Sequence, residues 1–452
     1  MRFGLLSTYP PTQCGLATFT KALGEALSAL AGCSAFVVRA LDGPAQSDSF
    51  PGGVTHNLVA GDWLSVRRAA EALNGADVVV VQHEYGIYGG PDGVDVVSVL
   101  RQLSVPVVVV LHTVLASPSR GQRSVLELVC RLSDAVVVMS EAARGRLLST
   151  YRVAPARVHV IPHGVAPEVT QSRTGPVPGR ILTWGLIGPG KGIEWGIWAL
   201  AGLRDLEPTP EYLVAGQTHP KVLQQSGEEY RDGLRALAAS LEVDHLLRFD
   251  ATYRPTSELP ELIAGASVVL LPYDSAEQVT SGVLIEAVAA GRPVVATRFP
   301  HAEEVLRRGA GVTVAHRDHE AMARAMRRIL IEPALADSMS ALARREAATF
   351  MWPAVAKGYL DLGGRLSAAD SLKRTASRSA DFVTDGSARS RNAFRVVTAQ
   401  GLGYRSGAGR AGEGAEAVAN VQDVVQEGAS EVAGSAQDAV EDVRSEAPVT
   451  NH

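Results

Sequence analysis

Cysteine is scarce in this chain: Cys14, Cys33 and Cys130 are its only three, far apart and without CxxC spacing. That excludes a disulfide framework and a cysteine zinc site, and fits a reducing compartment. Charge of one sign is also missing. The formal net charge is −5, and no long basic block falls in the first 360 residues, so no nucleic-acid partner is expected. Long hydrophobic runs are absent too. A run such as 105–111 is far short of the roughly 20 residues that span a bilayer. The apolar stretch after Arg2 is too short for the core of a signal peptide. A cytoplasmic protein is expected, with peripheral membrane contact left open. No two aspartates stand one residue apart, so there is no DxD pair to hold Mg²⁺ or Mn²⁺, and neither a metal nor any other cofactor is expected.

What the chain does have is apolar material, 46% of 452 residues, enough for two cores. In the first half, short Val/Ile/Leu runs at 3–7, 35–41, 77–81, 105–111, 135–139 and 157–161 alternate with amphipathic segments. One such segment sets Leu16, Phe19, Leu23, Ala26, Leu27 and Leu30 at helical spacing. Residues 165–179, rich in Pro and polar groups, read as a linker. The alternation then restarts, with strands predicted at 180–184, 211–215, 246–249, 268–272, 293–297 and 311–315. Helices are predicted at 193–203, 227–240, 282–290 and 320–330. Alternation of this kind implies α/β architecture with doubly wound parallel sheets. The expected layout is an N-terminal Rossmann-like domain at 1–164, the linker, a second Rossmann-like domain at 180–350 and a closing helix at 351–366. A low-complexity tail at 367–452 is expected to be mostly disordered, with weak helix over 416–443.

Ligands of such folds bind at the carboxyl ends of the strands. After the first strand, YPPTQCGLATF brings Gly15 to a helix start, which suits a phosphate or a polar sugar. The 77–81 run leads into QHEYGIYGG, with His83 and Glu84, and the next run ends in LHT, with His112. No second His or Cys accompanies either histidine at metal-ligand spacing. GLIGPGKG (185–192) nearly matches a P-loop: Gly185, Gly190 and Lys191 fit, but Gly192 stands where the Mg²⁺-binding hydroxyl belongs. What remains is a phosphate cradle without a built-in metal ligand. PYDSAEQVTSGVLIEAVAAGRPVVAT (272–297) opens a helix near Thr280, Ser281 and Gly282, and sets Glu286 in an otherwise apolar segment. That carboxylate must line a cleft or be paired.

Here the sequence resembles the retaining glycosyltransferases of family 4, also called group 1. The family's donor site carries a Glu, seven residues and a second Glu, followed by a small-residue helix and a G-x-P-V-V strand. Glu286, Gly291, Pro293, Val294 and Val295 match; Gln278 occupies the first Glu position, and Glu277 is one residue out of register. The glycine loop at 7–19, VLHT, IPHGV (161–165), GPGKG and the tryptophan-containing segment 350–359 extend the likeness over about residues 1–366. The resemblance implies the GT-B architecture, two Rossmann-like domains facing across a cleft, with the acceptor on the first and the donor on the second. It implies a nucleotide-sugar donor, its ribose on Glu286 and its diphosphate on Lys191. Backbone near Thr280, Ser281 and Gly282, with Gln278, would line the donor site. Gly15 and His112 would close over it near the anomeric carbon.

His112, Lys191 and Glu286 are thus the expected catalytic residues, and His83 and Glu84 stand on the acceptor side. The acceptor is left open among a sugar, a lipid-linked and a small-molecule substrate. The family often has Arg where this chain has Leu186, so one positive and one negative charge are missing from the expected site. The function expected is metal-independent sugar transfer with retention. Two alternatives stand beside it: a nucleotide-sugar-binding protein that has lost turnover, and a P-loop phosphotransferase.

Overall fold

The computed structural model describes residues 1–44, 50–172 and 174–393. The first sheet holds β1 (Arg2–Ser7), β2 (Ser34–Leu41), β3 (Val54–Val59), β4 (Val78–His83), β5 (Val107–Leu111), β6 (Ala135–Val138) and β7 (Val158–Val160), in the order β3-β2-β1-β4-β5-β6-β7. The second holds β8 (Arg180–Trp184), β9 (Glu211–Ala215), β10 (Leu247–Asp250), β11 (Val268–Leu271), β12 (Val294–Thr297) and β13 (Gly311–Val314), in the order β10-β9-β8-β11-β12-β13. Every pairing is parallel. The central strands are buried on both faces, as the unbroken apolar runs require. Both sheets lie within one compact unit, Met1–Ala380.

Two differences from the sequence reading have clear causes. β3 was not foreseen. Its sequence, VTHNLV, is half polar because it is an edge strand, exposed in its middle. Strands predicted to begin or end on proline are shorter than expected, because proline has no N–H for the ladder. β5 starts after Pro106 and β12 after Pro293, while both prolines still accept, from Val79 N and Val269 N respectively, at 2.9 Å.

The chain crosses between the domains twice, and the two crossings run side by side. Val165 donates its N–H to Phe350 O at 2.7 Å and accepts from Trp352 N at 3.0 Å. The helix that begins at Trp352 then returns to the first domain. Trp352, Val355, Ala356, Tyr359 and Leu362 are buried against Phe3, Leu5, Phe19, Val78 and Val80. This helix runs to Ala393 rather than stopping near 366. Leu372 is already 72% exposed. The weak helix expected over 416–443, like the rest of 394–452, lies outside the described residues.

The burial predicts a sharp contrast along this one helix. Trp352→Ala should cost about 3–5 kcal/mol, as for other buried tryptophans. Deleting residues 372–452 should leave the melting temperature within a few degrees of the intact chain. Thermal denaturation of both variants checks this.

Candidate active site

In an open parallel sheet the crevice lies where the strand order reverses, outside the carboxyl ends. The first sheet reverses between β1 and β4, and the second between β8 and β11. The loops at these two points carry most of the residues singled out by sequence.

On the second domain, Gly192 caps the Ile193–Ala201 helix in the left-handed region, φ 63°. A Cβ there would lie 1.9 Å from Pro272 O. Ser or Thr, and with it a P-loop hydroxyl, has no room. Lys191 lies with its Nζ 4.7 Å from the centroid of the Tyr273 ring. Among the described residues no carboxylate approaches it within 4 Å. On the neighbouring strand's loop, Ser281 caps the Gly282–Ala289 helix by accepting from Leu284 N at 3.2 Å. Glu286 sits one turn into that helix, and its Oε2 accepts from the Trp184 indole N–H at 3.2 Å. Burial pushes this carboxyl up to about 7, against the opposing pull of that hydrogen bond.

The first domain supplies the other wall. His112 follows β5, with Nε2 2.7 Å from Gln82 Oε1 and its ring edge-on to Phe19 at 4.9 Å. Burial first, then the nearby His163 and His83, hold it neutral, with a pKa lowered to about 3. His163, in the segment entering the linker, meets the Gly282–Ala289 helix directly: a Cβ on Gly282 would lie 2.9 Å from its Nε2. Glu84 accepts from Thr113 Oγ1 and from Tyr85 N, and burial raises its pKa. Gly15 begins the Gly15–Ser28 helix with open space around its Cα.

Direct bonds join the walls. Gln217 Nε2 donates to Gln13 Oε1 at 2.7 Å, Ser140 Oγ donates to Val279 O at 2.6 Å, and Ala116 N donates to Glu277 Oε2 at 3.1 Å. Glu304 accepts from Glu141 N and Ala142 N at 3.0 and 2.8 Å, so a carboxylate of one domain caps a helix of the other.

The profile of the group 1 glycosyl transferases matches residues 178–332, and that of glycosyltransferase family 4 matches residues 14–169. This chain belongs to the family 4, group 1 glycosyltransferases. It is 29% identical to a D-inositol 3-phosphate glycosyltransferase of Frankia alni over 76% of this chain and 93% of that one. It is 30% identical to a glycogen synthase of Mycobacterium tuberculosis over 53% and 56% of the two chains. Among solved structures, sucrose-phosphate synthase of Thermosynechococcus elongatus superposes with a TM-score of 0.64 at 20% identity, over 82% of this chain and all of that one. Anabaena HepE, in complex with UDP and glucose, gives 0.65 at 16% identity, over 80% of this chain and all of that one. These likenesses show the GT-B fold, two Rossmann-like domains.

Within this glycosyltransferase, three sequence expectations meet a different geometry. His83 is not on an open wall. It is the last residue of β4, paired with Leu111 and fully buried, with neither ring nitrogen hydrogen-bonded among the described residues. The strand runs two residues further than the apolar run because Gln82 and His83 continue the ladder. Ser281 N is not free for a ligand, since it donates to His301 Nδ1 at 2.9 Å. Gln278 folds back, its Nε2 donating to Thr280 O at 3.0 Å, while neighbouring Glu277 reaches the other domain. Thr280 Oγ1 is buried without a partner.

His163, His301, Trp184 and Glu304 escaped the sequence reading. IPHGV contained His163, but nothing in the other three stretches marked them. Among the described residues no group of three or more His, Cys, Asp or Glu is placed to hold a metal, and no helix is long and apolar enough to cross a membrane.

The buried carboxyl makes a pH prediction. A folded pKa raised from 4.5 to about 7 means stability is greatest below 4.5 and falls as pH rises to about 7. Glu286→Gln should leave the melting temperature nearly unchanged near pH 4 and raise it near pH 8. A pH series of melting curves for the two proteins reads this directly.

Proposed function

We propose that this glycosyltransferase uses a nucleoside-diphosphate sugar, retains the anomeric configuration and needs no metal ion. The observation that carries the reading is that Lys191, in the loop after β8, and Glu286, in the helix after β11, follow adjacent strands at the reversal point of the second sheet. Glu286, held by Trp184, accepts both hydroxyls of the donor's ribose. A carboxylate with a nearly apolar surround has few other uses. Lys191, braced on Tyr273 and free of a carboxylate partner, takes the diphosphate.

His112 and Gly15 cover the sugar from the first domain. The bond between the anomeric carbon and the diphosphate oxygen breaks, and the acceptor hydroxyl bonds to that carbon from the same face. The departing phosphate oxygen takes the hydroxyl's proton. Charge that grows on the diphosphate is met by Lys191 and by helix N-termini. The absence of a DxD pair supports metal independence.

The acceptor brings a hydroxyl to the Glu84 side of the first domain. It is a sugar, a lipid-linked substrate or a small molecule. The name of the Frankia relative points to the last class, and no nucleic acid is involved. The buried His83 stays outside the contact surface.

A panel of nucleoside-diphosphate sugars in a donor-hydrolysis and transfer assay tests the reading. Lys191→Ala should weaken the best donor roughly ten- to a hundredfold, the worth of a charged hydrogen bond, and scarcely change binding of the free nucleoside. An α-linked donor should yield an α-linked product by proton NMR. A β product, or equal losses for nucleoside and donor, counts against it.

Gln278 has a use that a glutamate would lose. Its NH₂ donates to Thr280 O, which a carboxylate would repel, and Leu186 leaves no arginine to offset a new charge. Gln278→Glu should lower kcat/KM. A tenfold rise instead would mark the chain as an attenuated family member.

A further inference from the structure

Gln82 is fully buried, and its side chain makes one hydrogen bond: Oε1 lies 2.7 Å from His112 Nε2. Its own Nε2 is buried with no partner. An amide with one end unpaired costs stability, so a residue kept there has another reason to stay.

The backbone around it is rigid. Gln82 and His83 pair with Val110 and Leu111, Tyr88 Oη donates to Gln82 O at 2.7 Å, and His112 N donates to His83 O at 3.1 Å. The imidazole is held on a second side by Phe19, itself edge-on to His163 and Trp352 at 5.1 Å each. Among the described residues His112 Nδ1 has no hydrogen-bond partner.

We propose that Gln82 is a positioning residue that selects the tautomer of His112. Its Oε1 accepts the Nε2 proton, leaving Nδ1 unprotonated at the carboxyl edge of the sheet to accept a hydroxyl of the bound sugar. A neutral imidazole has one N–H, and the bond made by one nitrogen decides the state of the other. A neutral amide makes this choice without adding charge, as a carboxylate would. The hydroxyl keeps its proton, so no bond is made or broken in this step. The sugar contact rests on the donor-site reading above; the tautomer does not.

The test is ring nitrogen NMR of the full-length enzyme with ¹⁵N-labelled histidine, His112 being assigned by its loss in His112→Gln. In the wild type Nε2 should be protonated and Nδ1 bare. Gln82→Glu, which keeps an acceptor, should preserve that pattern. Gln82→Met, similar in volume but without one, should lose it and lower kcat/KM about tenfold. Gln82→Met removes the unpaired buried amide N–H along with the bond to His112, so the two effects oppose and the melting temperature should stay within a few degrees of the wild type. That separates it from a variant that merely fails to fold.

A wild-type His112 protonated on Nδ1, or a Gln82→Met protein with the wild-type tautomer, overturns the proposal. So does a shifted tautomer with unchanged transfer, and donor binding through Lys191 and Glu286 would survive that result. A wild type that binds no nucleoside-diphosphate sugar removes the donor-site reading and the sugar contact with it, whatever the tautomer.

Discussion

A parallel sheet covered by helices on both faces leaves one place for polar chemistry: the edge where strands end and helices begin. Unpaired N–H groups collect there, and nothing apolar is available to bury them. Both sheets of this glycosyltransferase obey the same constraint, so each offers one usable edge. The crossings at Val165 and Met351 bring the two edges together, and the return of Trp352 to the first core keeps the domains from being merely tethered.

Burial sets the protonation of the groups along the cleft. His112, His163 and His301 are held neutral, and Glu286 is held partly protonated near neutral pH, in each case chiefly by burial. Neutral imidazoles can accept hydrogen bonds as well as donate them, and His301 accepts one from Ser281 N. Lys191 lies against the face of the Tyr273 ring, which supports its charge without neutralising it.

The polar bonds across the interface cluster around the loop that follows β11. Glu277, Val279 and Glu304 all bind the first domain, and Glu277 and Val279 flank Gln278 just before the helix that carries Glu286. The bonds of Glu277 and Glu304 are open to water and cost little to exchange for bonds to water, whereas that of Val279 O to Ser140 is buried.

The amino-acid sequence by itself determined the fold class and most strands of both sheets, because buried parallel strands must be apolar on both faces and that pattern is local. It also singled out the loops that follow β8 and β11, since Gly192 and Glu286 are conspicuous among apolar neighbours. Tertiary structure alone decided that edge strand β3 exists, that His83 is fully buried while His112 is only half-buried, and that Ser281 N is taken by His301. It alone paired Trp184 with Glu286 and Gln82 with His112. Those outcomes depend on which residues meet across a sheet or between domains, over separations of 20 to 163 residues in the bonds that matter here. Side-chain chemistry read in order along a chain carries no record of those meetings.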